Sequence, residues 1–197
     1  MKLIKPSYVI EHLKPRKEVL ACLERYGRTC YKSEDRIQEG SAEKFCKMLL
    51  GRNHLSVIEH EHMTVRIICD RGVTHELVRH RLASYSQEST RYCNYSGEVV
   101  FIVPPWGFDE WTMQFLEACE REYQRLLEAG QSPQQARAVL PNCLKTEIVA
   151  TANLREWMHI FEMRCAKAAH PQMREIMVPL QRDVQGILPE LFSENIK

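Results

Sequence analysis

Two stretches of strict alternation constrain the fold of this chain more than any other feature. Over residues 61–70, Met63, Val65, Ile67 and Cys69 fall on one face, and His62, Thr64 and Arg66 on the other. Over residues 143–152, Leu144, Thr146, Ile148 and Ala150 alternate in the same way. A period of two marks a strand with one buried face. Residues 99–103 add a short strand candidate before Pro104-Pro105. Around these strands the period becomes helical. Residues 15–26 carry Val19, Leu20 and Leu23 at helical spacing, with Gly27 placed to end the helix. Ser41 is placed to cap a second helix bearing Phe45, Met48 and Leu49 and stopping near Gly51. A third helix is predicted over 73–83, and a long one over 108–129 with Trp111, Phe115, Ala118 and Leu126. Ser132-Pro133-Gln134-Gln135 has the capping residue, first-turn proline and third-position Gln of a helix start. Asn153-Leu154-Arg155-Glu156 reads as another capping box, opening a helix with Trp157, Ile160, Phe161 and Arg164 on one stripe. His170-Pro171 opens a last helix, which Pro179 should kink. Strands and helices interleave without regular alternation, so the fold class is α+β rather than doubly wound. No linker separates the parts, and one domain over 1–197 is expected.

The chemistry concentrates in Arg79-His80-Arg81-Leu82-Ala83-Ser84-Tyr85-Ser86-Gln87-Glu88-Ser89-Thr90-Arg91-Tyr92. Strong donors stand side by side, then hydroxyls and amides, then another arginine. An arginine fork gives parallel charge-assisted bonds to phosphate oxygens, and hydroxyls fill the remaining acceptor sites. On residue types alone the run is either a phosphate cradle or a solvated basic turn. Val73, Leu77, Val78 and Leu82 recur at helical spacing around its start, which favours donors fixed to a packed helix. The run also lacks the Gly and Pro of a disposable connection. Arg155 and His159 share a face of the helix after Asn153, whereas Arg164 lies on its apolar stripe. An arginine among aromatics either snorkels outward or pairs with an anion.

Arg79-His80-Arg81, seven residues and Ser89 resemble the signature of the flavin-dependent thymidylate synthases, the ThyX family. His54-Leu55-Ser56-Val57-Ile58-Glu59-His60 looks like that family's His-x-x-x-x-Glu-His segment, and Ala136-Arg137-Ala138-Val139-Leu140-Pro141 like its Ala-Arg-x-x-Leu-Pro. Asn153-Leu154-Arg155, His159 and Arg164, followed by His170-Pro171-Gln172, resemble its helical segment; order and approximate spacing agree over 54–176. The resemblance implies a ThyX-like domain with a mixed or antiparallel sheet flanked by helices, forming a homotetramer with active sites shared between subunits. It implies reductive methylation of deoxyuridylate (dUMP) to thymidylate (dTMP), with 5,10-methylenetetrahydrofolate as carbon donor and NADPH as reductant through FAD. By the same resemblance Arg164 is the catalytic cation that polarises the uracil. His54, Ser56, Arg79, His80, Arg81, Gln87, Asn153, Arg155 and His159 would hold FAD. Glu76, Arg79, Gln87, Glu88, Ser89, Thr90, Arg91, Arg137 and Arg164 would surround the nucleotide, partly through backbone N–H groups. Two departures stand out: Glu76 occupies a place where the family often has Gln, and Ser86 one where it often has Asn. The other thymidylate synthase family uses a Pro-Cys-His nucleophile segment, which Pro141-Asn142-Cys143 does not match.

Composition narrows the alternatives. With 27 basic and 26 acidic residues the net charge is +1, which argues against a nucleic-acid coat protein. The eight cysteines are scattered with no Cys-x-x-Cys, as expected for reduced thiols in the cytoplasm. No opening apolar run has signal-peptide length, and none approaches the ~20 residues of a membrane span. Neither nucleic acid nor membrane is expected as a partner. A metal hydrolase is the first rival. In His75-Glu76-Leu77-Val78-Arg79-His80 the histidines are five apart, about 140° around a helix, and do not readily share a metal. His60 and His62 share a strand face but have no clear third ligand, so no metal is expected. A nucleotide- or RNA-binding module is the second rival; it would bind salt-sensitively and hold no flavin. A third possibility keeps the fold but loses the activity through Glu76 and Ser86.

Overall fold

The computed structural model describes residues 1–192. In order it has β1 (Lys2–Ile4), β2 (Ser7–His12), α1 (Arg16–Thr29), α2 (Ser41–Gly51), β3 (His62–Asp70), α3 (Arg71–Leu77) and β4 (Ala83–Gln87). There follow β5 (Val100–Ile102), α4 (Glu110–Glu128), α5 (Pro133–Ala136), β6 (Lys145–Asn153), α6 (Leu154–Cys165), α7 (Pro171–Ile187) and α8 (Pro189–Phe192). One sheet has the order β2-β3-β6-β4 and a second pairs β1 with β5 in parallel, Leu3 opposite Phe101. Thr64 bonds Thr151 at 2.9 Å and Arg66 bonds Glu147, so numbering rises along β3 as it falls along β6, and these two strands are antiparallel. The result is the α+β class with mixed pairing.

The chain gathers into two compact units, each assembled from separate stretches. The first holds Met1–Val9, Arg66–Arg79 and Tyr85–Ala150; the second holds Ile10–Val65, His80–Ser84 and the chain from Thr151 onward.

In the first unit, Val99, Phe101, Leu116, Tyr123, Ala136 and Leu144 form one buried cluster. Helix α4 enters it through Leu116 and Tyr123, with Cys119 also buried. Trp111 and Phe115 are 80% and 57% exposed, so the inward stripe is offset from the aromatics that mark this helix in the sequence. Helix α3 is shorter than the predicted 73–83. The Asp70 carboxylate caps its start by accepting from Val73 N–H at 2.8 Å. It ends at Leu77, whose carbonyl accepts from the Tyr85 hydroxyl at 2.8 Å. Leu82, expected on the packed stripe, is 75% exposed, and the hydroxyl-rich run beyond it becomes strand β4.

In the second unit the cores of α1, α2, α6, α7 and α8 are apolar, with Trp157, Ile160 and Phe161 buried on α6 as the periodicity predicts. Helix α7 runs from Pro171 to Ile187 with Pro179 inside it. Gly27 does not end α1, which continues to Thr29. A Cβ built on Gly27 would lie 2.6 Å from Phe45 Cε1, so the missing side chain is what lets α2 approach α1 this closely here.

Two glycines therefore respond to alanine in opposite ways. Gly27→Ala gains about 1 kcal/mol of helix propensity but must displace a buried ring at a cost of about 1–3 kcal/mol. Net destabilisation is expected in urea unfolding. Gly186, in the last turn of α7, has nothing within 4 Å of its built Cβ. Gly186→Ala should stabilise by about 0.5–1 kcal/mol.

Candidate active site

The site begins where β6 turns into α6. Asn153 is extended and its side-chain oxygen accepts from Glu156 N–H at 2.8 Å, capping the helix. The reciprocal half of a capping box is not what Glu156 supplies. Its carboxylate, on a residue only 7% exposed, faces His80 Nδ1 at 3.5 Å. On the far side of that ring, Arg164 Nε–H donates to His80 Nε2 at 2.9 Å. The edge of His159 meets the same ring, with centroids 5.5 Å apart at 70°. An arginine Nε always carries its hydrogen, so His80 Nε2 must offer a lone pair. The one ring proton of the neutral imidazole then sits on Nδ1, toward Glu156. Burial, with the charges of Arg164 and His159 acting in the same direction, lowers the His80 pKa to about 4.

A pocket of about 330 Å³ lies in the same unit, within the usual range for ligand sites. Among its lining residues are His54, Ser56, Arg155, Tyr31, Asn53 and Leu49. The Tyr31 hydroxyl bonds His54 Nδ1 at 3.0 Å, and the Arg155 guanidinium bonds Glu59. Three of the expected flavin residues, from two motifs far apart in sequence, thus meet on one pocket. His80, His159 and Asn153 are not among its lining residues. Arg81 and Arg79 are exposed at the turn after α3.

The first unit holds most of the expected nucleotide residues. Gln87 Nε2 donates to Thr74 Oγ1 at 3.0 Å and to Thr146 Oγ1 at 3.2 Å. The Glu88 carboxylate accepts from Tyr95 at 2.7 Å and from Lys145 Nζ at 2.7 Å. Thr90, 5% exposed, accepts from Arg137 Nη1 at 2.9 Å. The backbone N–H of Glu88 donates to Glu147 O at 2.8 Å, that of Arg91 to Ser89 Oγ at 3.3 Å, and that of Tyr92 to Ser89 O at 3.1 Å. These three backbone donors have protein partners, and the side chains at 87, 88 and 90 are likewise held by hydrogen bonds within the protein. Glu76 is half-buried on α3.

Tyr31, which lines the pocket, and the Glu156 carboxylate, which faces His80, are not signalled in the sequence. No motif surrounds Tyr31, and Glu156 reads as a helix-start residue. The eight cysteines are free thiols. Burial raises Cys143 and Cys165 to about 11 and Cys46 to about 12, which makes them poor nucleophiles at neutral pH. Among the described residues no three His, Cys, Asp or Glu side chains converge to hold a metal ion, and no helix is long and apolar enough to cross a membrane.

The buried imidazole makes stability pH-dependent with a definite sign. Above about pH 6.5 the ring is neutral in both folded and unfolded chains. Between there and about pH 4 the unfolded chain binds a proton that the folded chain refuses, so this contribution to stability falls as pH falls. The full effect is of order 3 kcal/mol. Urea unfolding from pH 7 to pH 4 should show this slope, and His80→Gln should flatten it.

A protein-family model described as "Thymidylate synthase complementing protein" matches residues 9–190. The flavin-dependent thymidylate synthase of Geobacter sulfurreducens is 34% identical over 180 residues, covering 85% of this chain and 78% of that protein. That of Pyrococcus furiosus is 35% identical over 166 residues, covering 79% and 68%. That of Mycobacterium tuberculosis is 32% identical over 197 residues, covering 88% and 78%. Among solved structures, a UMP/dUMP methylase, PolB from Streptomyces cacaoi bound with 5-Br dUMP, superposes with a TM-score of 0.80 at 24% identity, covering 98% of this chain and 95% of that one. That likeness shows a shared fold. The match over 9–190, together with relatives above 30% identity across most of their length, establishes that the chain belongs to the flavin-dependent thymidylate synthase family.

Proposed function

We propose that this chain catalyses reductive methylation of dUMP to dTMP, with 5,10-methylenetetrahydrofolate as carbon donor and NADPH as reductant through FAD. Beyond family membership, one observation carries the reading: His54, Ser56 and Arg155 line a single pocket. The donor set suits a flavin. Leu49, Leu55 and Val57 give apolar walls for a ring face, while Ser56, His54, Asn53 and Arg155 offer polar groups for its edge or its phosphates. FAD, when bound, supplies a hydride that no side chain can.

The chain's own residues orient, neutralise and exclude. His54, Ser56 and Arg155 would hold the flavin, joined by Arg79, His80, Arg81, Gln87, Asn153 and His159 through the family resemblance. Glu76, Arg79, Gln87, Glu88, Ser89, Thr90, Arg91 and Arg137 would surround the nucleotide. Lys145 and Tyr95 hold the Glu88 carboxylate, which lowers its repulsion of a phosphate. Arg164 is the cation placed to meet negative charge developing on the uracil, and such a donor contributes about 10²–10³ in rate. No cysteine nucleophile enters this scheme. We read 1–197 as one catalytic domain, working in the cytoplasm as a homotetramer with active sites between subunits, and without nucleic acid, membrane or metal.

The visible spectrum tests the reading directly. Purified protein should carry a flavin band that NADPH bleaches, faster when dUMP is present. A colourless protein that stays colourless after FAD is added would overturn it in favour of a nucleotide-binding module. Arg164→Ala should lose turnover by about 10²–10³ while keeping the band. Arg155→Ala should weaken FAD binding.

A further inference from the structure

We propose that Glu156 and His80 are positioning residues for Arg164, forming a polarised relay whose task is to fix the plane of that guanidinium. The proposal rests on the reading of Arg164 as the substrate-facing cation. It concerns how this chain holds that cation in place.

The geometry runs in one direction. Asn153 fixes the Glu156 backbone in the first turn of α6. The Glu156 carboxylate faces His80 Nδ1 at 3.5 Å, and His80 Nε2 accepts from Arg164 Nε at 2.9 Å. Both Glu156 and His80 are under 10% exposed. Glu156 and Arg164 are eight residues apart on α6, about 12 Å along its axis at 1.5 Å per residue. Side chains on a helix lean toward its N-terminus, so Arg164 reaches back along α6 and the imidazole closes the remaining gap. His159, between them on the same helix, packs its edge against the ring.

Each link constrains the next. Arg164 Nε can donate to His80 only if Nε2 is unprotonated. That tautomer is favoured only if Nδ1–H has an acceptor, and the Glu156 carboxylate faces Nδ1. A guanidinium is planar, so fixing Nε and its direction fixes the plane containing both terminal nitrogens. The interaction also accounts for a buried carboxylate that, among the described residues, has no lysine or arginine paired directly with it. Its charge is balanced through the ring by Arg164, as in other sites where a buried carboxylate sets the tautomer and orientation of a histidine.

The test uses the full chain with its flavin, and the apo protein for spectroscopy. In ¹⁵N-histidine-labelled apo protein, the His80 signals, assigned by their loss in His80→Gln, should show an unprotonated Nε2 and a protonated Nδ1. Glu156→Leu should convert that pattern to a tautomer mixture. It should also lower kcat about 10–100-fold with flavin content retained, since small misplacements of a positioned group cost about that much. Glu156→Gln keeps an acceptor for Nδ1–H and should restore kcat to within about threefold, with the wild-type tautomer. A wild-type ring protonated on Nε2 would overturn the proposal. So would Glu156→Leu with the wild-type tautomer and kcat, or Glu156→Gln as impaired as Glu156→Leu. The nitrogen spectrum reads out without turnover, so it tests the relay even if the wild-type protein fails to methylate dUMP. That failure would overturn the functional reading alone.

Discussion

Everything proposed for α6 depends on the turn at Asn153, where a strand becomes a helix within one residue. Three hydrogen bonds fix that turn. Asn153 accepts from Glu156 N–H, Leu154 N–H donates to Glu61 O at 2.8 Å, and the Trp157 indole donates to Met63 O at 2.9 Å. The cap alone is worth about 1 kcal/mol. Its larger effect is rotational. At about 100° per residue, a slip of one position would turn Arg155, Glu156, His159 and Arg164 away from their present partners together. It would also withdraw the buried Trp157 N–H from its acceptor, a polar group that needs one. Phase, more than helix stability, is what this junction sets.

The buried carboxylates of the same unit show how unusual Glu156 is. Glu24 is paired with Arg28 at 2.7 Å, Glu61 with Lys14 at 2.9 Å, and Glu190 with Arg16. Each of these meets a permanent cation directly, the ordinary way to offset desolvation. Glu156 meets an imidazole instead. A neutral ring does not cancel a charge, but with Nε2 accepting from Arg164 and Nδ1 turned toward the carboxylate it links the two groups in a fixed direction. Where stability is the only requirement, direct pairs serve. An intervening ring adds a fixed direction, which matters to a cation that must meet charge appearing at one place on a substrate.

The sequence discloses this fold unevenly, for identifiable reasons. Strands β3 and β6 are readable because each runs nine residues with one face buried; Met63, Val65, Ile67 and Cys69 are all 0% exposed. Strands β1, β2 and β4 are not, since three to six residues carry too few alternations and their pairing is decided by distant partners. Helix α4 is readable as a helix but not by its face, because Trp111 and Phe115 are large and apolar yet exposed. In the site, the motifs bring His54, Ser56 and Arg155 to one pocket, yet give no hint of Tyr31. The Tyr31–His54 bond spans 23 positions with no local pattern to announce it. Glu156 is hidden by a different cause. A glutamate three residues after a capping Asn already has a sufficient local explanation, and only the buried ring beside it reveals the other.

The arginines expected around the nucleotide are of two kinds, and the difference bears on how an anion would be captured. Arg79 and Arg91 are exposed. An exposed arginine must surrender rotamer freedom when it closes on a phosphate, at a cost of up to about 2 kcal/mol. Arg137 is tied to Thr90, which is itself buried, so part of its ordering is complete before any ligand arrives. Gln87 and Glu88 extend the same frame through Thr74, Thr146, Tyr95 and Lys145. In such an arrangement the exposed arginines govern encounter, and their contribution is screened by salt. The tethered arginine governs orientation, and loses little when salt is raised. A rigid frame of this kind would let a chain with a net charge of only +1 hold an anion in one orientation without a broadly cationic surface.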